Sequence, residues 1–245
     1  MPPMSEQRRI AEVLDRADAL RVKRRRTLAL LDGLTQSIFH DMFGDPLLNR
    51  GRWPHVSLVD LCHCYSGATP STATPANWVG PTPWFSPKDI KQRELFDAQD
   101  HIDTLAAGSS SMKVLPANMV VMVVRGMILA HTVPISILRV PATVNQDLKA
   151  LIPRAPIEPD FLAACLRAQA GFILGQVSTA AHGTKRLDEQ ALRAIQVLTP
   201  PLDVQECFVE RAATARGVHA RTTAQLQNLD ALFAALQQRA FAGEL

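Results

Sequence analysis

Proline is absent from both ends of this chain, and that absence limits the possible folds more than any other feature. Of the 17 prolines, none lies in residues 4–45 or 202–245, whereas 13 lie in residues 46–199. Because a proline inside a helix removes a hydrogen bond and clashes with the preceding turn, only the two ends can form long helices. The sequence therefore predicts an N-terminal helix in residues 1–45, a middle domain in residues 46–199 and a C-terminal helix in residues 200–245.

The two ends of the chain also repeat each other. Aligned without gaps at an offset of 198, residues 2–45 and 200–243 share ten identical residues, where about three would match by chance. In each copy, one set of positions steps by alternating fours and threes, which keeps the set on one face of a helix. We call these two sets the seams. The first is Ile10, Leu14, Ala17, Arg21, Arg24, Leu28, Leu31, Thr35, Ile38 and Met42, and the second is Phe208, Ala212, Ala215, His219, Thr222, Leu226, Leu229, Phe233, Leu236 and Ala240.

The seams predict that the two ends pack together. Neither helix would be stable alone in water, because its apolar stripe would stay exposed. Each run of about 38 residues would form a helix roughly 55 Å long. Since the middle domain joins the end of one helix to the start of the other, we expect an antiparallel coiled-coil stalk, held by Leu28, Leu31, Leu226 and Leu229. The alternative is that two short amphipathic helices cap a single domain.

The middle domain has the composition of a mixed α/β fold. Residues 114–124 and 128–140 are rich in branched aliphatic side chains and are candidate strands, whereas residues 161–174 and 188–195 have helical spacing. The order of the strands does not follow from the sequence. The fold class predicted for the whole chain is α+β, with one mixed α/β domain and two long antiparallel helices.

Composition and charge favour a globular protein with a possible polyanionic partner. The net charge of +3 and the pI near 8.8 permit such a partner without requiring it, because a nucleic-acid-binding face is a local patch. No stretch has the length and apolar character of a signal peptide or a membrane span, so we expect a cytoplasmic protein. The four cysteines lack the paired spacing of disulfide frameworks or zinc sites, and we expect reduced, mostly buried thiols.

Several segments carry a resemblance to a known family. The helical motifs are residues 5–20, Leu31-Asp-Gly-Leu34, Phe39-His-Asp-Met-Phe-Gly-Asp-Pro46 and residues 229–245; the motifs between them are Ser66-Gly-Ala-Thr-Pro70, Trp84-Phe-Ser-Pro-Lys-Asp-Ile90 and His182-Gly-Thr-Lys-Arg-Leu187. The helical motifs resemble the central and closing helices of type I restriction enzyme specificity subunits, and the others resemble a target recognition domain of that family. Members of the family usually carry two such domains. This chain has one and resembles a half-length subunit.

The resemblance implies a DNA-binding role for residues that also suit it chemically. Small residues and hydroxyl groups around Thr69 and Ser71 let backbone amides approach a phosphate or a base edge. The single cations Lys88 and Arg125 could reach guanine or neutralise a phosphate. A glycine-containing loop presents the last three candidates, which are Thr184, Lys185 and Arg186. The loops around Thr69 and Thr184 could equally be ordinary solvated loops, and Arg125 could be paired internally.

The search for catalytic motifs supports a non-enzymatic reading. The sequence contains no dinucleotide-binding glycine motif, P-loop, nucleophile elbow or Asn/Asp-Pro-Pro-aromatic motif, so we expect no catalytic residue. Cys62-His-Cys64 is too tight for a zinc pair, and we expect no metal site and no bound cofactor. Asp147-Leu-Lys149 has the carboxylate-x-lysine form of many metal-dependent nucleases, which keeps a nuclease as an alternative. A coiled-coil scaffold without a DNA role is the other alternative.

The sequence therefore predicts a specificity subunit that reads one half of a bipartite duplex site. As the resemblance implies, it would dock methyltransferase (modification) subunits and, through them, the restriction subunit. S-adenosylmethionine and ATP would be used by those partners. We expect the chain to pair with a second copy of itself or with another half-subunit, and to have no membrane role.

Overall fold

The computed structural model describes residues 3–49, 52–104, 112–180 and 183–242. It divides into two compact units. The first unit, Met1–Ile38 with Glu210–Leu245, is here called the helical unit, and the second, Phe39–Val209, the mixed unit. The predicted segments 1–45, 46–199 and 200–245 divide the chain by type of secondary structure, whereas the two units divide it by compactness. The segment boundaries therefore stay a prediction.

The helical unit is built from the two proline-free ends of the chain. The helices that contribute to it are α1 (Met4–Asp32), α2 (Leu34–Phe43) and α7 (Leu202–Ala242), of which α2 and α7 also have residues in the mixed unit. All twenty seam positions are buried or half-buried, and the four stalk leucines Leu28, Leu31, Leu226 and Leu229 are half-buried. Burial therefore follows the alternating steps of four and three that mark one face of each helix.

Ion pairs fix the direction of the helices within this unit. The Arg21 guanidinium lies 2.5 Å from the Asp230 carboxylate, and Asp32 lies 2.9 Å from His219 Nε2. The partner number falls from 230 to 219 as the first number rises from 21 to 32, so α1 and α7 run antiparallel. Arg21 also stacks over the ring of Phe233, with its guanidinium carbon 4.2 Å from the ring centroid.

The N-terminal helix differs from the single long helix predicted for it. A turn at Gly33 separates α1 from α2, whereas α7 continues for 41 residues. At the position equivalent to Gly33 in the repeat, the C-terminal copy has Ala231. Glycine costs roughly 1 kcal/mol more than alanine in a helix interior, which favours a break at Gly33, although α7 continues through Gly217 without one.

Within its described residues, the mixed unit contains one main sheet and three small ones. Its strands are β1 (His55–Ser57), β2 (Cys62–Ser66), β3 (Thr82–Phe85), β4 (Glu94–Leu95), β5 (Asp100–Ile102), β6 (Met119–Val123), β7 (Ile135–Leu138), β8 (Thr143–Val144), β9 (Leu148–Pro153), β10 (Ser178–Thr179), β11 (Lys185–Arg186) and β12 (Gln196–Leu198). The main sheet has the order β2-β9-β6-β7-β4, and the second has the order β5-β3-β8. The pairs β1-β12 and β10-β11 form two-stranded antiparallel sheets.

Short helices and an aromatic cluster complete the mixed unit. The helices are α3 (Leu58–Leu61), α4 (Pro159–Ala168), α5 (Ala170–Gly175) and α6 (Glu189–Ala194), with 3-10 helices at Pro75–Trp78 and Met127–Ala130. Phe39, Phe43, Phe161 and Phe208 are fully buried and pack ring against ring, with Phe43 and Phe161 closest at 4.9 Å between centroids. Buried aromatic pairs of this kind contribute beyond the area that they bury.

The strand candidates in the middle domain are only partly strands. Residues 114–124 contribute β6, in which every side chain is buried, and residues 128–140 contribute only β7. Met127–Ala130 is a 3-10 helix, and Gly126 just before it adopts a φ of +136°, a conformation that favours glycine. Branched composition indicated apolar burial at these positions, but it did not indicate where the chain turns.

The four cysteines are free thiols, as expected. Burial raises the pKa of Cys62 and of Cys165 to about 12, so both stay protonated at neutral pH. Cys64, on the same strand as Cys62, is half-buried, and its pKa is also raised by burial. Among the described helices, none is both long enough and apolar enough to span a membrane.

Candidate nucleic-acid interface

Arg125 follows the last residues of the buried strand β6 and is held from one side. Its Nε lies 3.5 Å from the Asp147 carboxylate, and its backbone N–H donates to the carbonyl oxygen of Asp147 at 3.3 Å. The Arg125 side chain is nevertheless 55% exposed. The ion pair therefore orients the guanidinium while leaving part of it open to a ligand.

A short hairpin brings three further candidate residues to Arg125. Strands β10 and β11 pair in antiparallel register, and an isolated backbone bridge links Arg125 to Arg186. Arg125, Thr184 and Arg186 line one cavity of about 390 Å³ together with Ala180. Four of the seven predicted DNA-binding residues, Arg125, Thr184, Lys185 and Arg186, thus come from two distant segments to one place, which we call the Arg125 cluster.

Hydrogen bonds hold the hairpin together where the structure describes it. Gly183 has a φ of +79°, which favours glycine, and the Ala180 N–H donates to the Thr184 carbonyl at 2.8 Å. The Lys185 ammonium donates to the Thr179 hydroxyl at 2.8 Å. His182, the first residue of the predicted motif, lies outside the described residues.

The loop after β2 reaches the same region through a side-chain hydrogen bond. The Thr69 hydroxyl donates to the Gln146 side-chain carbonyl at 2.7 Å, and Gln146 precedes Asp147, the partner of Arg125. The loop is held closely, because the Trp84 indole N–H donates to the carbonyl of Ala68 at 3.0 Å. Thr69 is therefore connected to the Arg125 cluster through residues 146–147.

Ser71 and Lys88 have other neighbours. The Ser71 carbonyl accepts hydrogen bonds from the Trp78 indole at 3.2 Å and from Asn77 at 3.4 Å, while its side chain is exposed. The Lys88 ammonium lies 2.6 Å from the Asp100 carboxylate. Lys88 lines a second cavity, of about 720 Å³, which also includes Gly126, the residue after Arg125. These two candidates therefore flank the Arg125 cluster without contributing to its described contacts.

A polar turn that was not predicted from the sequence organises the cluster. Asn145 is buried, its side-chain carbonyl accepts the Asp147 N–H at 3.0 Å, and its own N–H donates to the Phe85 carbonyl at 2.9 Å. The available signal was three polar residues, Asn145, Gln146 and Asp147, between two apolar strands. Such Asx turns fix loop geometry, and this one sets the carboxylate that orients Arg125.

The nuclease triplet has a different set of contacts from that expected of a metal site. Asp147 faces Arg125, and the Lys149 ammonium donates to the Cys64 carbonyl at 3.3 Å. Within the described residues, no three His, Cys, Asp or Glu side chains are close enough together to hold a metal ion. Arg125 and Arg186 instead line one cavity with Thr184, and two cations beside each other suit an anionic ligand.

Comparisons with known proteins agree with the resemblance seen in the sequence. A family model described as type I restriction modification DNA specificity domain matches residues 51–212, more than half of the chain. The EcoR124I/EcoR124II specificity subunit of Escherichia coli is 30% identical over 174 residues, covering 70% of this chain and 43% of that protein. The MjaIX specificity subunit of Methanocaldococcus jannaschii is 26% identical over 113 residues, covering 45% of this chain and 25% of that protein.

Solved structures share the fold. The HsdS subunit from Thermoanaerobacter tengcongensis aligns with a TM-score of 0.62 at 21% identity, covering 100% of this chain and 60% of that chain. A chain from a structural study of assembly and conformational transition in a type I R-M system aligns with a TM-score of 0.71 at 21% identity, covering 61% of that chain. The predicted α+β class is thereby confirmed, and this chain spans less than two thirds of each of these relatives. From the family match, we conclude that the chain belongs to the type I restriction-modification DNA specificity family.

Proposed function

We propose that this chain binds duplex DNA in a sequence-specific manner and reads one half of a bipartite site. The observation that carries the proposal is the Arg125 cluster, in which Arg125, paired with Asp147, lines one cavity with Thr184 and Arg186 from a distant segment. An arginine held from one side by a carboxylate presents its remaining donors in fixed directions, as bidentate recognition of guanine O6 and N7 requires.

The remaining candidate residues divide between base reading and backbone contact. Arg125 reads a base edge, whereas Lys185 and Arg186 neutralise phosphates, because charge without fixed geometry carries no sequence information. Thr69 and Thr184 add hydroxyl groups beside the cations. Ser71 and Lys88 contact the backbone at the edges of the interface.

The family match supports a non-catalytic role within a larger complex. The chain docks methyltransferase subunits and, through them, the restriction subunit, and those partners use S-adenosylmethionine and ATP. It acts paired with a second copy or with another half-subunit. Leu28, Leu31, Leu226 and Leu229 hold the helices that carry this docking.

One arginine variant and one lysine variant test the proposal, and a third variant is the matched control. A pool of randomised duplexes is first selected with the full chain, and binding to the selected duplex and to a random duplex is then measured against salt. Arg125→Ala should lose about 1–3 kcal/mol on the selected sequence and less on the random one. Lys185→Ala should weaken both equally and reduce the salt slope by about one.

The control is Arg193→Ala. The Arg193 side chain is 57% exposed, which is similar to the 55% of Arg125. Arg193 is paired with Asp60 and Glu189 and not with residues of the Arg125 cluster. Its replacement should leave both affinities unchanged. If the unmodified chain shows no salt-dependent binding to duplex DNA, the proposal is wrong and only a scaffold role remains. If the chain cleaves the duplex in the presence of magnesium, the nuclease alternative is correct.

A further inference from the structure

Two apolar side chains are exposed at a fixed turn between β6 and β7. Met127 is 63% exposed and Ile128 is 41% exposed, whereas the next residue, Leu129, is buried. The turn is the 3-10 helix Met127–Ala130, and the His131 N–H donates to the Ile128 carbonyl at 3.0 Å. Because Leu129 anchors the turn in the core, the outward position of its neighbours follows from the geometry of the turn.

The same turn is joined to the Arg125 cluster. The Gly126 N–H donates to the carbonyl oxygen of Lys185 at 3.0 Å, and Gly126 has the positive φ that redirects the chain after Arg125. Since consecutive Cα atoms are 3.8 Å apart, the Cα of Met127 lies within about 7.6 Å of the Cα of Arg125. The turn therefore begins directly beside the backbone of Arg125.

Cations surround the exposed apolar pair. The cavity of about 720 Å³ beside the turn is lined by Met127 and Ile128 together with Lys88, Lys91 and Arg93. None of the described residues that line this cavity is an aspartate or a glutamate. Lys88 is paired with Asp100, and Lys91 and Arg93 add positive charge beside the apolar tip. This combination matches a partner that alternates negative charge with apolar surface.

Duplex DNA and an anionic membrane both have that character, and the position of the turn favours DNA. A backbone hydrogen bond joins Gly126, just before the turn, to the cluster proposed to read base edges, and only Gly126 separates Met127 from Arg125. Proteins that bend DNA insert methionine, leucine or isoleucine side chains between base pairs, with flanking cations on the phosphates.

We propose that Met127 and Ile128 form an apolar wedge that enters between two adjacent base pairs of the bound duplex and unstacks them. Lys88 and Lys91 hold the phosphates on either side. This inference rests on the proposed function and deepens it, because the unstacked step is read through its deformability and not through hydrogen bonds.

Fluorescence of 2-aminopurine measures the unstacking directly. The base analogue is placed in turn at each position of the duplex selected with the full chain, and its emission rises where stacking is lost. The unmodified chain should raise the emission severalfold at one step. The variant carrying Met127→Ala and Ile128→Ala should abolish that rise and weaken binding about tenfold, with an unchanged salt slope, because its phosphate contacts remain.

Three further variants separate the wedge from a general surface effect. Leu48 has the same 63% exposure as Met127 but follows α2, so Leu48→Ala should change neither emission nor affinity. Met127→Leu should keep the emission rise, because the side chain stays apolar. Met127→Lys should lose the rise, although the added charge favours phosphate contact.

Other outcomes would overturn the inference in distinguishable ways. If the unmodified chain binds the selected duplex without any emission rise, or if the double variant keeps the rise, the wedge is wrong while DNA reading stands. If the chain binds no duplex, both proposals are wrong. Binding of phosphatidylserine vesicles that depends on Met127 and Ile128, without an effect of either residue on DNA, would assign the turn to a membrane surface instead.

Discussion

Gly67 matters because the loop that carries Thr69 passes directly over a neighbouring strand. A Cβ atom at Gly67 would lie 1.6 Å from the carbonyl oxygen of Val144 in β8, far inside any permitted contact. The atom in the way belongs to the backbone and not to a movable side chain, so moving it would disturb the packed strand. Glycine at this position therefore permits the hydrogen bond between Thr69 and Gln146 that connects the loop to the Arg125 cluster.

Gly67→Ala should consequently destabilise the chain and displace the loop. Forcing a methyl group into a packed site costs typically about 1–3 kcal/mol, which corresponds to a loss of roughly 2–10 °C in Tm for a chain of this size. Calorimetry measures the change in Tm. Weaker duplex binding by the variant at temperatures where it stays folded would show that the loop has moved.

Gly171→Ala provides the matched control. Gly171 lies in α5, and a Cβ there would meet no atom within 4 Å. Because alanine is favoured over glycine in helices by about 1 kcal/mol, this variant should be as stable as the original or more stable. Equal Tm values for the two variants would contradict the role given to Gly67.

The residues of the candidate site could be predicted in part from the sequence. Arg125 and the residues 184–186 were identifiable because polar side chains interrupt apolar runs or follow a glycine. Their convergence was not predictable, since it depends on an isolated bridge between segments about sixty residues apart. Asp147 carried a misleading signal, because its spacing to Lys149 suggested a metal ligand, whereas its carboxylate orients an arginine.

At the scale of elements, the seams of the helical unit include polar positions as well as apolar ones, and Arg21 is one of them. Arg21 occupies a seam position, yet its charge is met by Asp230 and its guanidinium covers the ring of Phe233. A polar residue at a single seam position favours one register over others, at some cost in stability. Arg21 therefore specifies how far α1 is shifted along α7.

A double-mutant cycle on Arg21 and Asp230 tests this role. Arg21→Ala should cost about 1–2 kcal/mol, because it removes a partly buried ion pair and a cation–π contact. Asp230→Ala should cost less, and the double variant should cost less than the sum of the two. Hydrogen exchange of peptides from α1 and α7 gives the local free energy of opening.

Arg26→Ala is the control within the same helix, because Arg26 is exposed and lies off the seam. It should change the exchange rates of α1 very little. If Arg21→Ala behaved like Arg26→Ala, the polar seam position would have no part in holding the register.

Helices were more predictable than strands, because helices depend on residues near each other in the sequence, whereas strands pair with residues far away. Proline absence and the repeated seams are local signals, and they indicated both helical ends and their antiparallel direction. Strand β2 pairs with β9, which is more than eighty residues later, and no local pattern contains that partner. The interruption at Gly33 could not be recognised from glycine alone, because α7 passes through Gly217 without a break.

At the scale of the whole molecule, this chain has one mixed unit and is shorter than its relatives, so the way in which it would contact both halves of a DNA site depends on pairing. This chain covers 43% of the E. coli relative and about 60% of the solved subunits. If two copies pair about a twofold axis, each Arg125 cluster contacts an equivalent half-site, because a twofold interface repeats every surface. The DNA site would then be an interrupted palindrome, as in other twofold DNA-binding proteins.

Methylation mapping with the cognate methyltransferase subunits distinguishes pairing with itself from pairing with another half-subunit. Pairing of identical chains should give a methylated motif with two inverted, identical halves, and Arg125→Ala should impair recognition of both halves together. Pairing with a different half-subunit should give unlike halves, of which Arg125→Ala alters only one. A single uninterrupted motif would contradict both arrangements, since it requires only one recognition surface, and sedimentation of the purified complex should then show a single copy of this chain.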